Sequence, residues 1–332
     1  MTKETKREKV LVTGGAGYIG SHAVLALLDA GFEPIILDNL STGEKRLLPE
    51  EVELIVGNIA DEDLLISVIE TKGINNVMHF AGSIVVSESV KDPLKYYANN
   101  TENSFNLLKI CLENKVKNFI FSSTASVYGN VRPDGTLSED DTLDPTNPYG
   151  RSKLMTEMMI RDCACHGDFN FAILRYFNVA GADPQGRTGQ AGPNSTHLIR
   201  VACEAALGKR EGMEIYGDDY ETHDGTCIRD YIHVSDLASA HVKALNYINQ
   251  EKKNLVLNVG YSKGYSVREV INEVKRISGA DFKVDVAPRR AGDPMVIIAN
   301  NSKIKSDLNW TAKYNDLSVI VKTALEWMKK SV

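Results

Sequence analysis

Val10-Leu11-Val12-Thr13-Gly14-Gly15-Ala16-Gly17-Tyr18-Ile19-Gly20 reads as an apolar strand, a glycine turn and the first turn of a helix. In such a loop Gly14 permits the tight turn, Gly17 lets the backbone approach a pyrophosphate, and Gly20 lets the helix pack close to its strand. Tyr18 and Ile19 lie at the helix N-terminus, whose N–H groups and partial positive charge suit an anion. A glycine triplet alone is weak evidence; its place between a strand and a helix makes this one a dinucleotide loop.

Outward from the loop, short β-branched runs alternate with helical patterns. Runs dominated by apolar residues fall at 35–37, 54–56, 77–80 (with His79) and 119–121, and helical patterns at 19–30, 61–71 and 93–114. Wholly apolar strands separated by helices indicate a parallel sheet covered on both faces. The expected fold is α/β, a Rossmann-type doubly wound parallel sheet with a smaller C-terminal α/β substrate lobe. After Asn178 the chain turns Gly-, Pro- and Asp-rich through residues 181–193, and long loops tend to bind ligands. The expected division is a nucleotide domain over 9–177 with a return segment near 228–262, a substrate lobe over 178–227 and 263–330, and a charged leader over 1–8.

Composition narrows the class. The 332 residues carry 38 Lys and Arg against 44 Asp and Glu, a net charge of −6 with no basic cluster, which argues against a nucleic-acid polymer as partner. No stretch approaches the ~20 apolar residues of a membrane helix. Five cysteines without a C-x-x-C suggest neither a disulfide framework nor a zinc ribbon, and a reducing cytoplasm fits. Cys163-x-Cys165 reads as small residues late in a helix, so no metal is expected.

The second strand ends at Asp38, where a carboxylate can accept both ribose hydroxyls of NAD and repel the 2′-phosphate of NADP. Capping of a turn by Asp38-Asn39 is the simpler alternative. Asn58-Ile59 and Phe80-Ala81-Gly82 end the next two strands, where chains of this fold meet ligand. Tyr149 and Lys153 are four residues apart at the start of a helical pattern, hence on one face, one turn apart. A free phenol has a pKa near ~10, and bringing it down three units needs roughly 4 kcal/mol of phenolate stabilisation. An ammonium and a pyridinium in a partly dry cleft can supply that. The fifth strand runs into Ser122-Ser123-Thr124-Ala125-Ser126, hydroxyls at the ligand end of the sheet, one of which can bond both a substrate hydroxyl and Tyr149. For Ser123 and Ser126 a self-satisfied turn is the alternative.

These motifs, with Tyr97–Thr101, Arg175-Tyr176-Phe177-Asn178, Arg229-Asp230-Tyr231-Ile232-His233-Val234 and Ala287-Pro288-Arg289-Arg290-x-Gly292-Asp293, resemble the extended short-chain dehydrogenase/reductase superfamily, and within it the branch that inverts C4 of UDP-sugars. The resemblance runs from about residue 9 to 329. It implies NAD-dependent reversible C4 epimerisation of UDP-glucose and UDP-galactose through a transient 4-keto sugar. Tyr149 is then the base, Lys153 its ribose-binding partner and Thr124 the hydroxyl partner. Asn99, Ser122 and Tyr176 would contact NAD. Asn178, His197, Leu198, Tyr216, Arg229, Arg290 and Asp293 would surround the UDP-sugar, two guanidinium forks suiting a diphosphate. Either arginine alone would more often be a surface ion-pair partner. A homodimer through helices at 93–114 and 149–166 is also implied.

Departures from the pattern are Asn58 where many members have Asp, Ile84 where some have Lys, and Thr196-His197 in place of an Asn-Asn pair. Ile297 stands where residue size limits the sugar C2 substituent, and an isoleucine leaves UDP-N-acetylhexosamines and UDP-pentoses as alternative substrates. A 4,6-dehydratase is disfavoured because Ala125-Ser126 replace the acidic pair that chemistry needs. A non-catalytic dinucleotide sensor is disfavoured by the retained Tyr149, Lys153 and Thr124.

Overall fold

The glycine-loop stretch forms β1 (Lys9–Thr13) and α1 (Tyr18–Asp29) in a computed structural model that describes residues 7–129, 134–165, 167–192, 195–290 and 292–330. Most of the expected leader, together with His166 and Pro193, lies outside the described residues. The alternation continues through β2 (Glu33–Asp38), β3 (Glu53–Val56), α2 (Glu62–Lys72) and β4 (Asn76–His79). Asp61 starts α2 by accepting the Leu64 N–H, and Gly73 at φ 65° ends it.

The pattern over 93–114 reads as one helix, but the structure interrupts it. After α3 (Val86–Lys91), which the sequence did not announce, α4 (Pro93–Tyr96) and α5 (Asn103–Glu113) are separated by a π-helical turn, Tyr97–Glu102. Such a turn loosens the regular ladder of carbonyl partners. Here the Asn100 carbonyl accepts the hydroxyls of Ser104 (2.5 Å) and Thr156 (3.1 Å), so side chains offset the lost regularity.

β5 (Asn118–Thr124) is buried throughout and β6 (Thr136–Leu137) is a short edge piece. α6 (Pro148–Cys163) opens with Pro148 in its first turn and Asn147 accepting the Gly150 N–H. It ends at Cys163 with Ala164 as its cap, short of the expected 166, and β7 (Asn170–Tyr176) follows. Then come β8 (Asn178–Ala180), α7 (Leu198–Ala206), β9 (Gly212–Tyr216), β10 (Ile228–His233), α8 (Val234–Glu251) and β11 (Leu255–Val259). The chain closes with β12 (Gly264–Ser266), α9 (Val267–Ser278), β13 (Lys283–Ala287), β14 (Val296–Ala299), α10 (Ser302–Leu308) and α11 (Leu317–Lys330).

A seven-stranded sheet has the order β11-β7-β5-β4-β1-β2-β3, with β3 through β5 pairing in parallel. The order reverses between β1 and β4, the crevice where ligands bind in doubly wound sheets. Two compact units divide the chain: Met1–Ser123 with Asn147–Leu174 and Ala238–Val256, and Thr124–Thr146 with Arg175–Leu237 and Leu257–Val332. The core of the first packs Leu11, Ile35, Leu37, Leu65, Val77 and Phe119 between sheet and helices. This division departs from the sequence expectation. Residues 124–146 belong with the second unit, since Tyr128 and Glu139 enter a buried polar cluster with Arg175 and Asn258, and the return segment is 238–256 in place of 228–262. In the second unit β10 is central, flanked by β8, β12 and β14, while β9 pairs with β13.

Candidate active site

In the first unit the cofactor candidates gather at the C-terminal ends of β1 to β5. Gly14 adopts φ 72°, and a Cβ there would lie 2.6 Å from the Ala81 nitrogen. The Phe80 and Ala81 N–H groups both bond the Thr13 carbonyl, so the turn after β4 is laced directly to the glycine loop. A Cβ on Gly20 would lie 2.2 Å from the Gly14 oxygen, which is the close packing expected of the third glycine. Tyr18 and Ile19, half-buried, open α1.

Asp38 is buried and accepts the N–H of Ala16 (2.9 Å) on one oxygen and that of Leu40 (2.8 Å) on the other. The two readings of this residue therefore coexist. One backbone bond per oxygen caps the turn and fixes the loop, and a carboxylate with about four lone-pair sites keeps capacity for ribose hydroxyls. Asn39 and Asn58 are exposed and accept the N–H groups of Ser41 and Ala60 within their own turns, while Ile59 is buried. The room left by the glycines and the Asp38 acceptor fit a dinucleotide.

Helix α6 places Tyr149 and Lys153 on one face, both buried. The Lys153 Nζ donates to the Ser122 carbonyl (3.1 Å) and lies 4.8 Å from the centre of the Phe121 ring. Burial pulls the ammonium down to about 8, with Glu157 one turn further along the helix pulling the other way. Tyr96 stands edge-on to the Tyr149 ring. His79, between the Thr13 and Ser104 hydroxyls at 2.7 and 2.8 Å, is pushed down to about 3 by burial and by Lys153, so it stays neutral.

Asn100, which the sequence reading passed over in favour of its neighbour Asn99, ties these parts together. Its carboxamide accepts the Ser83 N–H (2.7 Å), donates to the Ser83 carbonyl (3.0 Å) and reaches the Ser152 hydroxyl on α6 (3.0 Å). Ser152 in turn donates to the Tyr149 carbonyl. Asn99 donates to the Ser83 hydroxyl. A polar pair, Asn99-Asn100, in an otherwise helical run was the only signal available.

The second unit holds the remaining candidates in three groups. Thr124 is buried and its hydroxyl accepts the Ser126 N–H, starting one 3-10 turn, Ala125–Val127; Tyr176 is half-buried at the end of β7. Asn178, His197 and Leu198 line one small cavity of about 20 Å³ with Tyr231, room for a single water or so. His197 precedes α7, and its Nδ1 meets the Gln190 amide (3.0 Å) and the Ser195 hydroxyl (3.1 Å).

The third group surrounds Arg229 and Arg290. The Arg290 guanidinium lies over Tyr216, 3.7 Å from the ring centre, exposed and making no ion pair among the described residues. Arg229 is mostly buried, paired with Asp293 and donating to the Ile228 carbonyl. Its fork is thus partly engaged, where the sequence reading left it open for phosphate. Ile297 sits opposite Arg229 in the parallel register of β10 and β14. Asp230, next along β10, holds this edge in place: its buried carboxylate accepts the N–H groups of Tyr261, Ser262 and Ala299, and burial pushes it up to about 6.

Comparison with known proteins places this geometry among relatives. The NAD dependent epimerase/dehydratase family model matches residues 10–260. A UDP-glucose 4-epimerase of Azospirillum brasilense is 51% identical over 329 residues, covering 98% of this chain and 94% of its own. The UDP-Glc/GlcNAc 4-epimerase from Campylobacter jejuni is 48% identical, with a TM-score of 0.86 over 97% of this chain and 99% of its own. UDP-glucose 4-epimerase from Brucella ovis, solved in complex with NAD, is 42% identical, with a TM-score of 0.93 over 96% and 98% of the two chains.

Proposed function

The chain belongs to the NAD dependent epimerase/dehydratase family, and from that premise we propose that it interconverts UDP-glucose and UDP-galactose by inversion at sugar C4 through a 4-keto sugar. The observation that carries this reading is the buried Lys153 ammonium one helical turn from Tyr149, beside the strand end that faces the glycine loop. A charge kept there against desolvation has a task, and lowering a neighbouring phenol is the one its position suits.

Bound NAD supplies the hydride acceptor, and afterwards the donor, at its nicotinamide ring. Gly14, Gly17, Tyr18, Ile19, Gly20, Asp38, Asn39, Asn58, Ile59, Phe80, Ala81, Gly82, Asn99, Ser122 and Tyr176 would hold it. Tyr149 takes the proton from the sugar 4-hydroxyl as C4 is oxidised and returns it when C4 is reduced from the other face. Thr124 directs that hydroxyl, and Lys153 keeps the phenolate accessible near neutral pH. Arg290, with the unengaged donors of Arg229, grips the diphosphate, and Asn178, His197, Leu198, Tyr216 and Asp293 complete the substrate set. Firm binding of the diphosphate permits a loose hold on the sugar, which must turn over between the two half-reactions.

Purified protein supplied with NAD should interconvert the two UDP-hexoses, and Tyr149→Phe should lose most turnover while still binding NAD. Absence of interconversion by the unaltered chain would overturn the reading. A second reading, action on UDP-N-acetylhexosamines, is supported by the aliphatic Ile297 beside Arg229 and by the dual substrate named for the Campylobacter jejuni neighbour. Comparable kcat/KM for UDP-galactose and UDP-N-acetylgalactosamine would establish it, and UDP-arabinose in the same series tests a pentose substrate.

A homodimer is part of the proposal. Leu94 (76% exposed), Phe105 (52%) and Met158 (57%) stand out on α4, α5 and α6, and large apolar side chains in such number favour a partner. No helix among the described residues is long and apolar enough to cross a membrane. All five cysteines are free, which supports a reducing, cytoplasmic setting.

A further inference from the structure

Thr124 is the last residue of β5, and only three residues separate it from Tyr128, which is 1% exposed. Those three form the 3-10 turn, closed at one end by the Thr124 hydroxyl accepting the Ser126 N–H and at the other by the Tyr128 N–H bonding the Ala125 carbonyl (3.2 Å). A one-turn helix has too few internal bonds to hold its own orientation. β5 holds the Thr124 backbone, and the anchor on Tyr128 acts on the turn that the Thr124 hydroxyl closes.

The anchor is unusually built. The Tyr128 phenol donates to Asn258 Oδ1 (2.5 Å) and accepts from Arg175 Nη1 (3.1 Å), while the Arg175 guanidinium lies 5.0 Å from the Tyr128 ring centre. Arg175 is wholly buried, and the same Nη1 donates to the Glu139 carbonyl (3.2 Å). Asn258 is fixed in turn by the Glu139 carboxylate on its N–H and by its own amide on the Leu137 carbonyl. Burying a guanidinium costs several kcal/mol of desolvation, and an apolar cluster of the same volume would often be as stable. A hydrogen-bond donor and an acceptor meeting on one phenol oxygen fix a direction, which an apolar cluster does not. Burial pushes the Tyr128 phenol up to about 12, so it remains a donor and is no rival to Tyr149 as base.

We propose that Tyr128 and Arg175 are positioning residues that orient the Thr124 hydroxyl for the reaction, through the 3-10 turn that joins Thr124 to Tyr128. The inference rests on the proposed role of Thr124. It predicts that losing the anchor misdirects one hydroxyl and leaves ligand binding intact. Misplacement of a reacting group by an ångström can cost on the order of 100-fold in rate.

The test compares Tyr128→Phe, which keeps the ring and removes both phenol bonds, and Arg175→Lys, which keeps a charge and removes the fork, each alone and combined with Thr124→Val. Steady-state epimerisation of UDP-galactose is the readout, with bound NAD and the thermal midpoint as controls for folding. Expected are a fall in kcat of about tenfold or more for Tyr128→Phe with KM and bound NAD unchanged, and no further fall when it is added to Thr124→Val. Equal loss in both backgrounds, or loss confined to KM, would overturn the positioning role. If Thr124→Val itself leaves kcat unchanged, the assigned role of Thr124 fails, and the positioning proposal with it. Should Tyr128→Phe not fold, Arg175→Lys carries the same comparison.

Discussion

Lys153 works at a pKa its surroundings have chosen. It is charged below about 8 and becomes neutral as pH rises through that value, because burial disfavours the ammonium. In the proposed mechanism the ammonium supports the Tyr149 phenolate, so kcat/KM should show an alkaline limb near pH 8. Lys153→Arg, whose guanidinium stays charged, should move that limb upward even though it lowers the maximum; a pH–rate profile with an unmoved limb would contradict the assignment. Asp38 yields a second outcome at this scale. In the proposed site Asp38→Ser removes a charge that would repel a 2′-phosphate, and the ratio of NAD to NADP affinity should fall about tenfold or more, read by titrating each cofactor. Both positions were legible in the sequence because they follow from spacing: four residues along a helix, and the end of a strand after a glycine loop. Asn100 and Asp230 were not, since they act on backbone groups of Ser83 and of Tyr261, Ser262 and Ala299, which no local pattern places beside them.

Helix α6 presents Tyr149 and Lys153 on one buried face because it starts where it does. Asn147 accepts the Gly150 N–H and Pro148 sits in the first turn, a start signal written in the sequence. Asn147→Ala should cost about 1 kcal/mol of stability, seen as a lower denaturant midpoint, with a measurable loss of kcat because Tyr149 is the second helical residue. The π turn at Tyr97–Glu102 was hidden, since its hydrophobic pattern matches that of an unbroken helix. What identifies it are hydroxyls from Ser104 and Thr156 on the Asn100 carbonyl, and Thr156 lies on another helix altogether. Strands were the easiest elements to read. Residues 10–12, 35–37 and 77–78 are apolar throughout because both faces of the sheet are covered.

For the molecule as a whole, His79 couples the core of the first unit to pH. Its value drops from 6.5 to about 3 on folding, so between those limits the unfolded chain binds more protons and stability declines as pH falls. The effect is of order 5 kcal/mol across the window. Urea midpoints measured from pH 7 to 4 should fall steeply for the natural chain and less steeply for His79→Gln. The exposed apolar residues of α5 and α6 make a second whole-molecule outcome. If the proposed homodimer holds, the unaltered chain should run as a dimer in light scattering and Phe105→Glu with Met158→Glu as a folded monomer. By itself the sequence determined the doubly wound sheet, the glycine turn between β1 and α1 and the one-face spacing of Tyr149 and Lys153, because glycine's freedom at positive φ, burial on two faces and helical spacing are local properties. Tertiary structure alone decided the partners of the buried polar groups and the membership of residues 124–146. Tyr128 meets Asn258 across 130 positions of chain, and a hydrogen bond leaves no trace in sequence until folding brings both ends together.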